Sequence, residues 1–188
     1  MTDFSTYTLK TVPEAGRETL DTVKKAYGFV PNLIGTMVES PVLAGAYLDI
    51  SKSFGETSFT PTEQQVVLLT ASRINECGYC VAAHSTIAAM SSVPAAVVEA
   101  IREDRPLEDS RLEALRTFTR QVVEERGWVG ETVVDAFIDA GFTRAQVLEV
   151  VLGVAMKTLS NYTNHIAETP LDPAFKAQEW HASSEKAA

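Results

Sequence analysis

The chain has 188 residues, 45% hydrophobic and 22% charged, a composition that fits one globular domain with a substantial core and excludes wholesale disorder. Its 25 acidic and 16 basic side chains give a net charge of -9, and no Lys/Arg stripe appears, so nucleic acid is disfavoured as a partner. The N-terminus "MTDFSTYTLKTVPEAG" lacks the features of a secretory signal, and the longest apolar run, near Val147 to Met156, stops at Lys157, too short for a bilayer. The expected address is therefore the cytoplasm, where thiols are kept reduced and a close cysteine pair points to catalysis or metal binding rather than a structural staple.

Helix punctuation recurs along the chain. Leu20, Val23 and Tyr27 recur at helical spacing and end at Gly28, a glycine C-cap. "SPVLAGAYLDISKSFG" offers Ser40 as N-cap and Pro41 at the first helical position, with an inward stripe of Leu43, Ala46, Tyr47, Ile50 and Phe54. "TPTEQQVVLLTASRI" is a capping box, in which Thr60 caps and Glu63 reaches back to the Thr60 amide. A new helix begins close to Cys77, and others start at Pro94, at Asp109 or Ser110, in "GETVVDAFIDAG", and at Thr143. The last, "RAQVLEVVLGVAMKTLSNYTNHIAET", is apolar nearly all round in its first half, which suits a central helix or a subunit interface. Strand alternation, hairpin dipeptides, repeats and linkers are lacking. The expectation is an all-α single domain spanning 1–188, with about eight helices and a tail over 174–188 that frays.

The chemistry concentrates in "INECGYCVAAHSTIAAM", Ile74 to Met90, which holds both cysteines and one of three histidines. Cys77, Cys80 and His84 fall at i, i+3 and i+7, so one helical face carries all three. A thiol in the first turn feels the positive end of the helix dipole, and His84, one turn from Cys80, is placed to take its proton. On an ideal helix the Cys77 and Cys80 Cβ atoms stand about 5–6 Å apart. A disulfide wants about 3.8 Å, so the first turn must tighten and the bond should be readily reduced. Two other readings stay open: small buried cysteines with no chemistry, and a zinc clip completed by His165 or Glu76. A thioredoxin fold is disfavoured because no strand precedes the motif.

The stretch "FTPTEQQVVLLTASRINECGYCVAAHSTIA" resembles the core of the carboxymuconolactone decarboxylase / alkylhydroperoxidase D-like family. The likeness is strongest over 60–90. The flanks "YGFVPNLIGTMVESP" and "TLSNYTNHIAETPLD" resemble its peroxidase-related branch. The resemblance implies an all-helical bundle assembling as trimers or hexamers, and a thiol peroxidase that needs no cofactor. It would act on organic or hydrogen peroxide and be restored by a thiol or dithiol reductant, with no membrane partner. It further implies that Cys80 is the peroxidatic cysteine, that Cys77 resolves it to a disulfide, and that His84 belongs to a proton relay. Two positions depart from the family pattern: Gln65 stands where a relay glutamate is expected, and Tyr79 where the best-known members carry histidine. A glutamine holds a hydrogen bond but carries no proton at neutral pH, so slower turnover is expected.

The alternatives are a decarboxylase-like lyase using His84, and a redox sensor or zinc-clipped protein without catalysis. Glu63 reads as the capping residue and Glu76 as a solvated helix-entry acid. Tyr79 either donates a hydrogen bond within the site or packs. Asn161 and His165 form an i, i+4 polar pair without an assigned role.

Overall fold

The computed structural model describes residues 4–182, which form nine α-helices and a closing 3-10 helix. In chain order these are α1 (Glu14–Tyr27), α2 (Asn32–Met37), α3 (Pro41–Gly55), α4 (Pro61–Ile74), α5 (Gly78–Met90), α6 (Ala95–Arg102), α7 (Ser110–Glu124), α8 (Glu131–Asp139), α9 (Arg144–Ala167) and η1 (Pro173–Gln178). No strand occurs among the described residues. The all-α expectation holds, with two elements more than the caps announced.

The helix starts obey the side chains that precede them. Ser40 Oγ accepts from the Leu43 amide, and Asp109 accepts from the amides of Arg111 and Leu112. Thr60 and Glu63 close a full capping box, as do Thr143 and Gln146. Gly28, at φ 82°, ends α1 in the left-handed conformation that glycine adopts without steric cost. The two unannounced elements are α2 and η1, six residues each, too short to show a helical period in sequence. Both are held from outside: Asp172 accepts from the Asn32 amide at 3.0 and 3.1 Å, which ties the start of α2 to the approach to η1.

Helix α4 is the centre of the bundle. Val66, Val67, Leu68 and Leu69 are all buried, and α4 packs against α5, α6, α7 and α9. Helix α9, which its composition marked as central or interfacial, lies beside α4 and leaves Leu148 and Val151 exposed. Its close approach depends on Gly153, where a Cβ would meet Val67 Cγ1 at 2.6 Å and the Phe54 ring at 2.7 Å. Much of the stretch expected to fray is built into the structure. Phe175 of η1 is buried, and Trp180 donates its indole N–H to the Arg102 carbonyl at 3.2 Å. Arg102 in turn donates to the carbonyls of Gln178 and Glu179. Bonds to α6 and packing on α5 outweigh the polar composition; 183–188 lie outside the described residues.

Gly153→Ala is expected to destabilise the fold. Helix propensity would favour alanine by about 1 kcal/mol, while overpacking two rigid core side chains costs about 1–3 kcal/mol. Chemical denaturation should show a net loss, and a more stable variant would contradict the close α4–α9 contact.

Candidate active site

The cysteine motif sits where α4 hands over to α5. Helix α4 ends at Asn75, Glu76 takes a left-handed φ of 54°, and the Cys77 amide donates back to the Ser72 carbonyl at 2.9 Å. Cys77 is therefore the extended N-cap of α5, at φ -86° and ψ 93°, rather than a helical residue. This departs from the expected single helical face, and it supplies the tightening that the spacing required. The two cysteines, both unbonded thiols, come to 3.6 Å of one another. The bend leaves no room at Gly78, where a Cβ would lie 2.7 Å from the Trp180 carbonyl oxygen.

Helix α9 supplies the polar groups that face the sulfurs. Asn164 places Nδ2 at 3.3 Å from Cys80 Sγ and 3.7 Å from Cys77 Sγ. Ser160 Oγ lies 3.7 Å from Cys80 Sγ and donates to the Met156 and Lys157 carbonyls at 3.2 and 3.3 Å. Asn161, wholly buried, accepts from Asn75 Nδ2 at 2.9 Å and donates to Ser72 Oγ at 3.5 Å, which fixes it against the cysteine turn. None of the three α9 residues was assigned to the site from sequence, because they lie 80 or more positions from Cys80 and only the fold unites them. The expected pair of Asn161 and His165 divides: Asn161 faces the thiols, whereas His165 is exposed and stacks on Tyr162.

His84 and Gln65 meet as expected, with His84 Nδ1 3.1 Å from Gln65 Oε1. The other ring nitrogen, Nε2, lies 2.8 Å from the Nζ of Lys157, a side chain with no exposed surface. The contacts are mutually consistent. An amide oxygen only accepts, so Nδ1 carries the ring proton, Nε2 offers its lone pair, and the Lys157 ammonium donates to it. Burial, with the Lys157 cation beside it, holds the imidazole pKa well below its ordinary value. Both ring nitrogens are thus engaged away from Cys80, so the arrangement is not a simple Cys–His pair. Lys157 is the group that sequence reading missed. The signal was a lone lysine closing an apolar run, which equally fits a helix reaching the surface.

The two thiols are electrostatically unequal. Burial pushes the Cys80 thiol up, but the Cys77 hydrogen bond, the Lys157 charge, Ser160 and Asn161 outweigh it and bring it down to about 5. Cys77 moves upward, through its hydrogen bond to Cys80 and through burial. The two shifts run in opposite directions, favouring negative charge on Cys80 and the proton on Cys77.

Tyr79, between the cysteines, is a positioning group. Its hydroxyl donates to Asp172 Oδ2 at 2.5 Å and accepts from the Leu33 amide at 3.1 Å, so it ties α5 to α2 and to the approach to η1. Burial and the bond to Asp172 raise its pKa, so it stays a neutral phenol. Glu63 completes its cap and pairs with Arg111 at 3.1 Å, while Glu76 is exposed at the turn. Among the described residues, no group of three or more His, Cys, Asp or Glu side chains is arranged to hold a metal ion. A cleft of about 310 Å³, bordered by Cys77, Tyr79, Asn164, His165, Glu168 and Trp180, opens onto the Cys77 side of the pair. Among the described residues, no helix is long and apolar enough to cross a membrane.

No family model and no curated protein matches the chain. Solved structures do. The crystal structure of an alkylhydroperoxidase AhpD core, an uncharacterized peroxidase-related protein from Ralstonia eutropha JMP134, superposes with a TM-score of 0.80 at 22% identity, covering 93% of this chain and 96% of that one. A peroxidase-related protein from Silicibacter sp. TM1040 gives 0.79 at 16% identity, over 94% of each chain. The debrominase Bmp8, solved with 2,3,4-tribromopyrrole, gives 0.79 at 18% identity, over 95% and 96%. The chain thus has the AhpD-core fold, and the resemblance read from the cysteine stretch holds at the level of architecture.

Tyr79→Phe removes the donor to Asp172 and leaves the buried Leu33 amide without its acceptor. A loss of about 1–3 kcal/mol is expected in urea unfolding. An unchanged midpoint would mean that Tyr79 merely packs.

Proposed function

We propose that this chain is a thiol-dependent peroxidase and disulfide oxidoreductase that reduces organic or hydrogen peroxide through Cys80 and Cys77. The observation that carries the reading is the pair itself: two thiols 3.6 Å apart in a donor-lined pocket that favours charge on one of them. The peroxidase-related names of two structures with this fold support the same class.

The chemistry balances without a cofactor. The Cys80 thiolate attacks the terminal peroxide oxygen, the O–O bond breaks, and the products are Cys80 sulfenic acid and an alkoxide that takes up a proton. Cys77 then attacks the sulfenic sulfur, and water leaves as the disulfide forms. A thiol or dithiol reductant restores both sulfurs. The cleft beside Cys77 and Asn164 is the route of entry, since Cys80 itself is almost wholly buried. His84 orients the charged end of the site rather than abstracting the thiol proton, because its two nitrogens serve Gln65 and Lys157. The same engagement disfavours a decarboxylase-like lyase with His84 as free acid or base. The exposed Leu148 and Val151 fit assembly into a homo-oligomer, and the cytoplasm remains the proposed location.

Peroxide added to the reduced protein should consume both thiols with loss of two hydrogens by mass, with or without a chelator. Cys77→Ser should trap a sulfenic acid at Cys80, and Cys80→Ser should leave Cys77 largely unoxidised; the reverse pattern would exchange the two roles.

Gln65→Glu should alter turnover and move its pH optimum, because a carboxylate on Nδ1 would favour the imidazolium form of His84. General acid–base effects of about 100- to 10,000-fold bound the change. An unchanged rate and pH profile would show that the Gln65–His84 contact does not bear on turnover.

A further inference from the structure

Lys157 is a cation for which the surrounding protein offers no carboxylate. Its side chain is entirely buried, and among the described residues no Asp or Glu lies within 4.0 Å of its nitrogen. Its one hydrogen bond goes to His84 Nε2, a neutral acceptor in the tautomer that Gln65 selects. An ammonium has three donors, so two remain unspent. A charge sealed from water in this way is strongly disfavoured unless an anion accompanies it.

On α9, Lys157 and Ser160 lie three residues apart, and on α5 Cys80 and His84 lie four apart. The contacts Lys157 Nζ–His84 Nε2 at 2.8 Å and Ser160 Oγ–Cys80 Sγ at 3.7 Å lay these two turns side by side. The acidic groups that feel the Lys157 charge are Cys80 and Cys77. Asn164 Nδ2 donates more closely to Cys80 Sγ, at 3.3 Å, than to Cys77 Sγ, at 3.7 Å, and of the two sulfurs Ser160 Oγ meets Cys80, at 3.7 Å. Cys77 is pushed toward its neutral form by its bond to Cys80 and by burial.

We propose that Lys157 is the fixed counter-cation of the Cys80 thiolate, and that it thereby makes Cys77–Cys80 an oxidising disulfide. The proposal rests on reading the pair as redox-active, but it concerns the equilibrium of the pair rather than peroxide turnover. In the reduced form the site holds Cys80 thiolate, Cys77 thiol and Lys157 ammonium, and the charges balance. Oxidation joins the sulfurs and releases one proton and two electrons. The anion disappears, and the buried ammonium is left with the neutral His84 imidazole and no counter-charge. The disulfide state is therefore penalised and the reduced state favoured, which raises the reduction potential. Simple thiols of the glutathione class then suffice to reduce the disulfide.

Lys157 acts here as a charge-balancing residue, and it takes over the electrostatic task that a carboxylate at position 65 would otherwise shape through His84. A glutamine at 65 and a lysine at 157 fit each other: with Gln65 the imidazole stays neutral and can accept from the ammonium.

The test is equilibration with defined ratios of reduced and oxidised glutathione, read by mass, for the wild-type protein and for Lys157→Met. Methionine is of similar length and carries no charge, so the oxidised variant should fold at least as well. The wild-type equilibrium should favour the reduced pair at least tenfold more than that of the variant, which corresponds to about 30 mV. Lys157→Arg, if it fits the space, should lie closer to wild type. Equal potentials for wild type and Lys157→Met would overturn the proposal. A second measurement needs no variant: reduced wild type should melt at a higher temperature than oxidised wild type, the opposite of the usual effect of a disulfide. A more stable oxidised form would also overturn it. A wild-type protein that turns over no peroxide yet shows both signatures would refute the peroxidase reading and support the role of Lys157.

Discussion

Charge balance inside a closed helical bundle is the constraint on which the site depends. Lys157 is brought into the interior by one turn of helix beyond Gly153, whose missing Cβ lets α9 press against α4. Once there, the ammonium organises its surroundings. It takes the Nε2 lone pair of His84, Gln65 holds the opposite ring nitrogen, and the charge biases the neighbouring sulfur toward thiolate. The packing of two helices and the acidity of one thiol are thus parts of a single arrangement.

A second consequence is the inequality of two chemically identical residues. Cys77 and Cys80 share a tight turn, yet Cys77 is an extended N-cap and Cys80 is within the helix, facing α9. Asn164 donates to both sulfurs but lies closer to Cys80, and of the two sulfurs only Cys80 meets Ser160 Oγ. The order of events in the proposed reaction follows from these donors rather than from any property of cysteine itself. The stability linkage has a definite sign. A thiol depressed to about 5 in the folded state contributes stability that is fully present above its unfolded value of about 8.5 and is lost as the pH falls through about 5.

Much of this was legible in the residues because it is local. The caps at Ser40, Thr60, Asp109 and Thr143 act within four residues, so their side chains announce the helices directly. The cysteine motif and the contact between Gln65 and His84 were legible through a resemblance spanning two consecutive helices. What escaped reading is nonlocal. Ser160 and Asn164 have no meaning as site residues until α9 is laid across α5. Lys157 closes an apolar run, where a lysine ordinarily marks the return to solvent; only the fold shows it buried. The same holds for α2 and η1, whose few residues are held by Asp172 and Arg102 from distant parts of the chain.

The ionisation of the Cys80 sulfur is the centre of the account, and it can be observed without substrate or turnover. In reduced protein labelled with 13C at the cysteine β-carbons, with the two signals assigned through single-cysteine variants, the Cys80 resonance should titrate with a midpoint near 5 and the Cys77 resonance should remain that of a thiol through neutrality. A Cys80 signal that titrates at the ordinary value of about 8.5 would show that the buried lysine does not stabilise a thiolate there, and would contradict the account.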